Sequence, residues 1–223
     1  MNITNEKVTD YINEYYRPLD DELSDLRIKC EELEIPLILK ETENYLLTML
    51  SIVKPKNILE IGTAFGYSAL FFAKYLPDCK VTTIERSEYM YKNAKDTFSR
   101  HKESERIELH TGDALEILDG MISLAQKEED FELYDFVFID AAKSHYREFL
   151  ERSEKLCSKG AVIVCDNILM KAYLVDRNLE PGRRHRTSVK RMQEFIQYIN
   201  EREDLTVSLL SCGDGLAVIK LND

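Results

Sequence analysis

Two aspartates and an asparagine stand at the ends of two apolar runs: Phe138-Ile139-Asp140 closes one, and Val164-Cys165-Asp166-Asn167 closes the next. If these runs are adjacent parallel strands, their C-terminal residues reach one edge of a sheet, and Asp140, Asp166 and Asn167 converge there. Two carboxylates and an amide oxygen, with no His or Cys among them, make a hard oxygen site suited to Mg²⁺, Mn²⁺ or Ca²⁺. Either Asp alone reads as a helix cap; the three together favour a metal. Lys143 lies three residues past Asp140 at the start of the next helix, which points its ammonium into the same cleft. Beside a divalent cation its pKa should fall, making it a general base. The plainer reading is a surface lysine paired to one of the carboxylates.

A second set lies upstream, where Glu60-Ile61-Gly62-Thr63-Ala64-Phe65-Gly66-Tyr67-Ser68 joins the first apolar run to the helical stretch ALFFAKYL. A glycine-bearing turn at that junction lets a ligand approach the backbone and presents free amide N–H groups. The spacing is G-x-x-x-G and not the G-x-G-x-x-G of a dinucleotide pyrophosphate site, which disfavours nicotinamide and flavin cofactors. Glu85 ends the second run, where an acid can accept both hydroxyls of a ribose. Gly112-Asp113-Ala114 follows the third, where Asp113 either caps the next helix or reaches an adenine amino group. Together these describe a pocket for an adenosine-bearing molecule without a pyrophosphate, and S-adenosylmethionine fits.

Such a site needs strands that deliver their tips to a common edge. The chain supplies five short apolar runs, NILEIG, KVTTIE, RIELHTGD, YDFVFID and GAVIVCDN, separated by helix-length segments, which predicts a parallel sheet covered on both faces. Ahead of them, Val8, Ile12 and Tyr15, then Leu23, Leu26 and Ile28, then Tyr45, Leu46, Met49 and Leu50 carry helical spacing, predicting two or three helices. After Asn167 comes a loop-like segment with Pro181 and Gly182, an amphipathic stretch over Thr187–Arg202, and the runs LTVSLL and GLAVIK, close enough for a hairpin. With no repeat or linker in its 223 residues, the chain reads as one domain, a helical cap over 1–53 and a doubly wound core over 54–223.

Thirty Lys and Arg against 41 Asp and Glu give a net charge of -11, which excludes a general nucleic-acid coat protein; a polyanion would need a local basic patch. The five cysteines are scattered, with no C-x-x-C, which disfavours a disulfide framework or zinc knuckle and fits a reducing cytoplasm. The N-terminus shows no signal-peptide pattern, and no apolar stretch approaches the roughly 20 residues of a membrane-spanning helix. The expectation is a cytoplasmic protein.

The turn E-I-G-T-A-F-G-Y-S, then T-I-E, G-D-A, I-D-A-A-K-S-H-Y and C-D-N, in that order between about Pro36 and Leu221, resembles the cation-dependent class I O-methyltransferases related to catechol O-methyltransferase. The resemblance implies an α/β, Rossmann-like methyltransferase fold. Its sheet would be doubly wound, seven-stranded and mostly parallel, with an antiparallel C-terminal hairpin and N-terminal helices. It implies that Glu60, Gly62, Ser68, Glu85, Asp113, Ala114 and Asp140 surround S-adenosylmethionine. Asp140, Asp166 and Asn167 would bind Mg²⁺, and Lys143 would remove the substrate proton. A homodimer is a further expectation.

Many small-molecule members carry D-A-D-K where this chain has Asp140-Ala141-Ala142-Lys143, so Ala142 departs from that pattern. D-A-A-K with Tyr146, together with Pro181-Gly182-Arg183-Arg184-His185-Arg186-Thr187, looks more like a bacterial branch that methylates 5-hydroxyuridine at the tRNA wobble position. Between Arg177 and Arg191 stand six basic residues and one acid, Glu180. Such a patch, with Arg183, Arg184 and Arg186, would hold an anticodon stem-loop, or else pair with surface carboxylates or a partner subunit. Catechol and 5-hydroxyuridine both place two oxygens on neighbouring carbons, so one metal grip serves either acceptor. The expected acceptor is the tRNA base; the alternative is a small catechol-like or hydroxycinnamoyl-type phenol.

Overall fold

The computed structural model of the protein describes residues 5–175 and 183–222, without the side chains of 183–185. Three helices come first: α1 (Glu6–Asn13), α2 (Asp21–Glu32) and α3 (Lys40–Val53). Asn5 and Asp20 cap the first two with their side chains, accepting from Lys7 N and Leu23 N. Strands and helices then alternate: β1 (Asn57–Ile61), α4 (Tyr67–Tyr75), β2 (Lys80–Glu85), α5 (Glu88–Ser99), β3 (Ile107–Thr111), α6 (Ala114–Ala125), β4 (Tyr134–Ile139), α7 (Tyr146–Ser153) and β5 (Cys157–Asp166). The chain ends with α8 (Arg183–Glu201), β6 (Leu205–Leu210) and β7 (Leu216–Leu221).

The sheet order is β3-β2-β1-β4-β5-β7-β6. The pairs β1–β2, β1–β4, β2–β3 and β4–β5 are parallel, whereas β7 runs antiparallel to both β5 and β6. The order reverses between β1 and its two neighbours, which leaves a crevice outside the carboxyl ends of β1 and β4. Both faces are covered. Leu46, Phe71, Phe72 and Phe98 from α3, α4 and α5 pack with Phe136 and Phe138 on one side. Leu118, Phe149, Met192 and Phe195 from α6, α7 and α8 pack with Val137, Ile139 and Ile163 on the other. Burial of aromatic and aliphatic side chains on both faces explains why these strands read as continuous apolar runs.

Two differences from the sequence reading stand out. The helix expected from Thr187 begins at Arg183. The apolar stripe of α1 meets no core: Val8, Ile12 and Tyr15 are about half exposed or more, as is Ile28 on α2. Helical spacing identifies an amphipathic helix but not what covers its apolar face. The segment carrying Arg177, Glu180, Pro181 and Gly182 lies outside the described residues. Among the described residues no helix is long and apolar enough to cross a membrane.

Candidate active site

Register brings the functional residues together. Ile61 pairs with Ile139, and Ile139 with Cys165, so the residues that follow each strand share one edge. Backbone bonds extend the alignment past the strand ends, from Gly62 N to Ile84 O and from Asp140 N to Ile61 O, both at 3.0 Å. Gly62 has φ +104°, and a Cβ there would stand 2.1 Å from the carbonyl oxygen of Asp140. Only glycine lets β1 turn away so close to the end of β4.

The oxygen donors converge as the two-strand argument requires. Lys143, in a short 3₁₀ turn over Lys143–His145, donates from Nζ to Asp140 Oδ1 at 2.7 Å, Asn167 Oδ1 at 3.0 Å and Tyr146 Oη at 2.7 Å. Asn167 adopts φ +56°, a left-handed conformation that asparagine tolerates, and its N–H donates to Asp166 Oδ1 at 2.6 Å. Asp166 is buried, and its Oδ2 has no hydrogen-bond partner among the described residues. Burial, reinforced by the Asp140 charge, pushes the Asp166 carboxyl up to about 8.

The protein's own groups hold Lys143 as an ammonium. Burial lowers its pKa, but the Asp140 carboxylate and Tyr146 outweigh burial and raise it, so the ammonium stands charged among the oxygens. The fall expected from the sequence is the one a divalent cation would cause there, opposing these neighbours. Tyr146 is a further member of the site, to which the sequence gives a place in a motif and no role. Its hydroxyl donates to Asp166 O at 2.8 Å, and it is fully buried. The spacing of three residues from Lys143 was the available signal, because it puts both on one face of a helical turn.

An orphaned buried carboxylate oxygen in an all-oxygen set, with two carboxylates against the one charge of Lys143, fits a hard divalent ion. The set is two carboxylates and one amide; no group of three or more His, Cys, Asp or Glu is gathered for a metal among the described residues.

The glycine turn is more fully bonded than its sequence suggests. The amides of Gly62, Ala64 and Gly66 are taken by Ile84 O, by Glu85 Oε2 at 2.9 Å and by Thr63 O. Glu85 Oε1 also accepts from Ser87 N at 2.7 Å, so this carboxylate fixes the turn and retains lone pairs facing the cavity. Asp113 caps α6 through Leu115 N at 2.9 Å. A cavity of about 430 Å³ is lined by Gly62, Ser68, Glu85, Asp140, Lys143 and Asn167 among others, and the Pro36–Ile38 strip between α2 and α3 closes one side. A slot of about 170 Å³ adjoins it, between Asp113, Ala114, Ala142, His145 and Phe149. Gly62, Glu85 and Ala141 line both spaces.

Glu60 is not on either wall. It is fully buried beneath the turn, accepting from the hydroxyls of Ser68 and Thr83. Its contribution is to hold the start of α4 against β1 and β2. Burial raises its carboxyl to about 7 from 4.5. Below the ordinary value, both folded and unfolded chains are protonated and no penalty arises. Between about pH 4.5 and 7 the unfolded chain ionises while the buried carboxyl stays protonated, so stability falls across that window by something on the order of 3 kcal/mol and levels off once the folded state ionises too. Glu60→Gln should therefore match the wild type near pH 4.5 and melt higher above pH 7. A thermal-unfolding difference that does not change with pH would contradict the assignment.

This strand order, with β7 reversed and ligand-sized spaces at the strand tips, defines the class I methyltransferase fold. The O-methyltransferase family model matches residues 14–221, and the chain belongs to that family. It is 31% identical over 180 residues to the tapetum-specific methyltransferase 1 of Arabidopsis thaliana, covering 80% of this chain and 75% of that one. It is 29% identical over 176 residues to the catechol O-methyltransferase of Niastella koreensis, covering 78% and 77%. The O-methyltransferase of Bacillus cereus, solved in complex with SAH, superposes with a TM-score of 0.81 at 26% identity over 97% of each chain.

Proposed function

We propose that the protein transfers a methyl group from S-adenosylmethionine to one of two adjacent oxygens on a small catechol-like or hydroxycinnamoyl-type phenol, with Asp140, Asp166 and Asn167 holding Mg²⁺ or a similar ion. One observation carries this reading: Lys143, Asp140 and Asn167 line the same cavity as the glycine turn and Glu85, so proton acceptor, two of the three metal donors and donor-binding turn face one space. The SAH-bound Bacillus cereus structure supports the donor, and the Niastella koreensis relative supports the acceptor class.

When bound, the cation would draw the two acceptor oxygens together and acidify the one to be methylated, and the sulfonium would supply the methyl. Glu85 accepts the ribose hydroxyls, and Asp113 and Ala114 flank the adenine slot. With the cation bound beside it, Lys143 would give up its own proton, and its neutral Nζ, held in place by Tyr146 and Asn167, would receive the acceptor's proton. Positioning and charge stabilisation account for most of the acceleration.

A second acceptor, 5-hydroxyuridine at the tRNA wobble position, is favoured by the basic start of α8. Arg186, Lys190 and Arg191 are exposed there, although Lys190 and Arg191 also lie 3.6 and 3.7 Å from Glu194. Arg183 and Arg184 begin the same helix, their side chains outside the described residues. A splayed anticodon base presents the same pair of oxygens as a catechol. Side-by-side assays on a catechol panel and on tRNA containing 5-hydroxyuridine decide between the acceptors, with the larger kcat/KM expected for the phenols. Should tRNA win, replacing Arg183, Arg184 and Arg186 with Ala should weaken tRNA methylation and flatten its salt dependence.

A further inference from the structure

A buried polar cluster joins the N-terminal helices to the glycine turn, and the chemistry above does not use it. Tyr16, Arg27, Glu43 and Tyr67 come from the α1–α2 connection, α2, α3 and the first residue of α4, and are only 9, 5, 2 and 3% exposed. Glu43 accepts from Tyr16 Oη at 2.9 Å, from Tyr67 Oη at 2.7 Å and from Arg27 Nη2. Arg27 Nε donates to Tyr67 Oη at 3.3 Å, and its guanidinium carbon lies 4.6 Å from the Tyr67 ring centre. Ser68, the next residue, donates to Glu60. The first two residues of α4 are thus tied by their hydroxyls to two buried glutamates, one on α3 and one on β1.

Tyr67 also lines the cavity, as does the Pro36–Ile38 strip that connects α2 to α3. The helices bearing Arg27 and Glu43 are the two that suspend this strip. A buried Arg–Glu pair is not needed for packing, since apolar residues of similar volume often replace one without loss of stability. What such a pair supplies is a single relative orientation of the elements that bear it.

We propose that Arg27, Glu43 and Tyr67 are positioning residues for the methyl donor: they fix the Pro36–Ile38 strip against the 62–66 turn, so that the helical cap forms one wall of the donor cavity. The inference rests on the proposed function for the identity of the ligand. Without the cluster the strip and turn sample several separations, and affinity falls by the fraction of molecules in the competent one.

The test compares the full-length wild type with Tyr16→Phe/Arg27→Met/Glu43→Leu/Tyr67→Phe and with Tyr67→Phe alone. Calorimetric Kd for S-adenosylhomocysteine, KM for S-adenosylmethionine, kcat on a catechol and Tm are read together. The quadruple variant, which leaves no buried hydroxyl of the cluster unpaired, should keep its Tm while Kd and KM rise about tenfold or more and kcat at saturating donor stays within about twofold. The single variant keeps the Arg27–Glu43 pair and should raise Kd about threefold. Folded Tyr67→Phe protein with wild-type Kd and KM, whatever the quadruple variant does, would overturn the inference. Absence of binding by the wild type would instead remove the proposed function, and this inference with it.

Discussion

Replacing Asp140 with Ala is expected to lower methyl-transfer turnover by at least about 100-fold while the protein remains folded. Asp140 sits one residue beyond β4, and its main-chain N–H, bonded to Ile61 O, is unaffected by the change. Its side chain is the carboxylate nearest the proton acceptor, 2.7 Å from Lys143 Nζ. Removal takes away one of three proposed metal donors and the anion that orients the lysine. Asn167 and Tyr146 still hold Lys143, so the loss should appear in turnover and in dependence on Mg²⁺ more than in Tm. Near-normal, metal-dependent turnover would overturn the metal assignment.

Gly62→Ala should produce the largest loss of stability at the site, at least about 3 kcal/mol. A methyl at position 62 would meet Asp140 O at 2.1 Å with φ at +104°, so neither the clash nor the backbone strain can be relieved by a rotamer change. For a chain of this size that corresponds to a fall in Tm of roughly 6–12 °C. Gly120 is the internal control, lying within α6 with nothing within 4 Å of an added Cβ. Gly120→Ala should be neutral or stabilising by up to about 1 kcal/mol. Equal Tm values for the two variants would contradict the close approach of β1 to the end of β4.

The sheet is legible because strands buried on both faces are predominantly apolar or β-branched along their length. NILEI, KVTTIE and YDFVFI therefore announce themselves with boundaries good to a residue or so. The convergence of Asp140, Asp166 and Asn167 followed from the same logic, since parallel neighbours in register deliver consecutive tips to one place. Glu60 shows where the logic stops. Its motif placed it at the donor site, but one residue's shift along a strand exchanges a cavity wall for a buried underside. That alternation cannot be referred to the cavity until the turn geometry is known.

The cluster around Glu43 was illegible for a different reason. Its members are separated by 16 residues or more along the chain wherever they bond, and no local spacing marks a pairing made across four elements. The place of Lys143 in the cleft is legible from its spacing to Asp140, whereas its bonds to Asn167 and Tyr146 need the turn geometry that follows β4. Helix α1 was recognised by its period, yet periodicity does not report whether an apolar face is covered.

A crystal structure of the full chain grown with Mg²⁺ and S-adenosylhomocysteine bears most directly on the central claim. Mg²⁺ should be found with Asp140, Asp166 and Asn167 as its protein ligands at about 2.1 Å, with Lys143 beside it and the ribose on Glu85. A structure in which those three oxygens hold no ion at saturating Mg²⁺, or in which the nucleoside lies away from the glycine turn, would contradict the account.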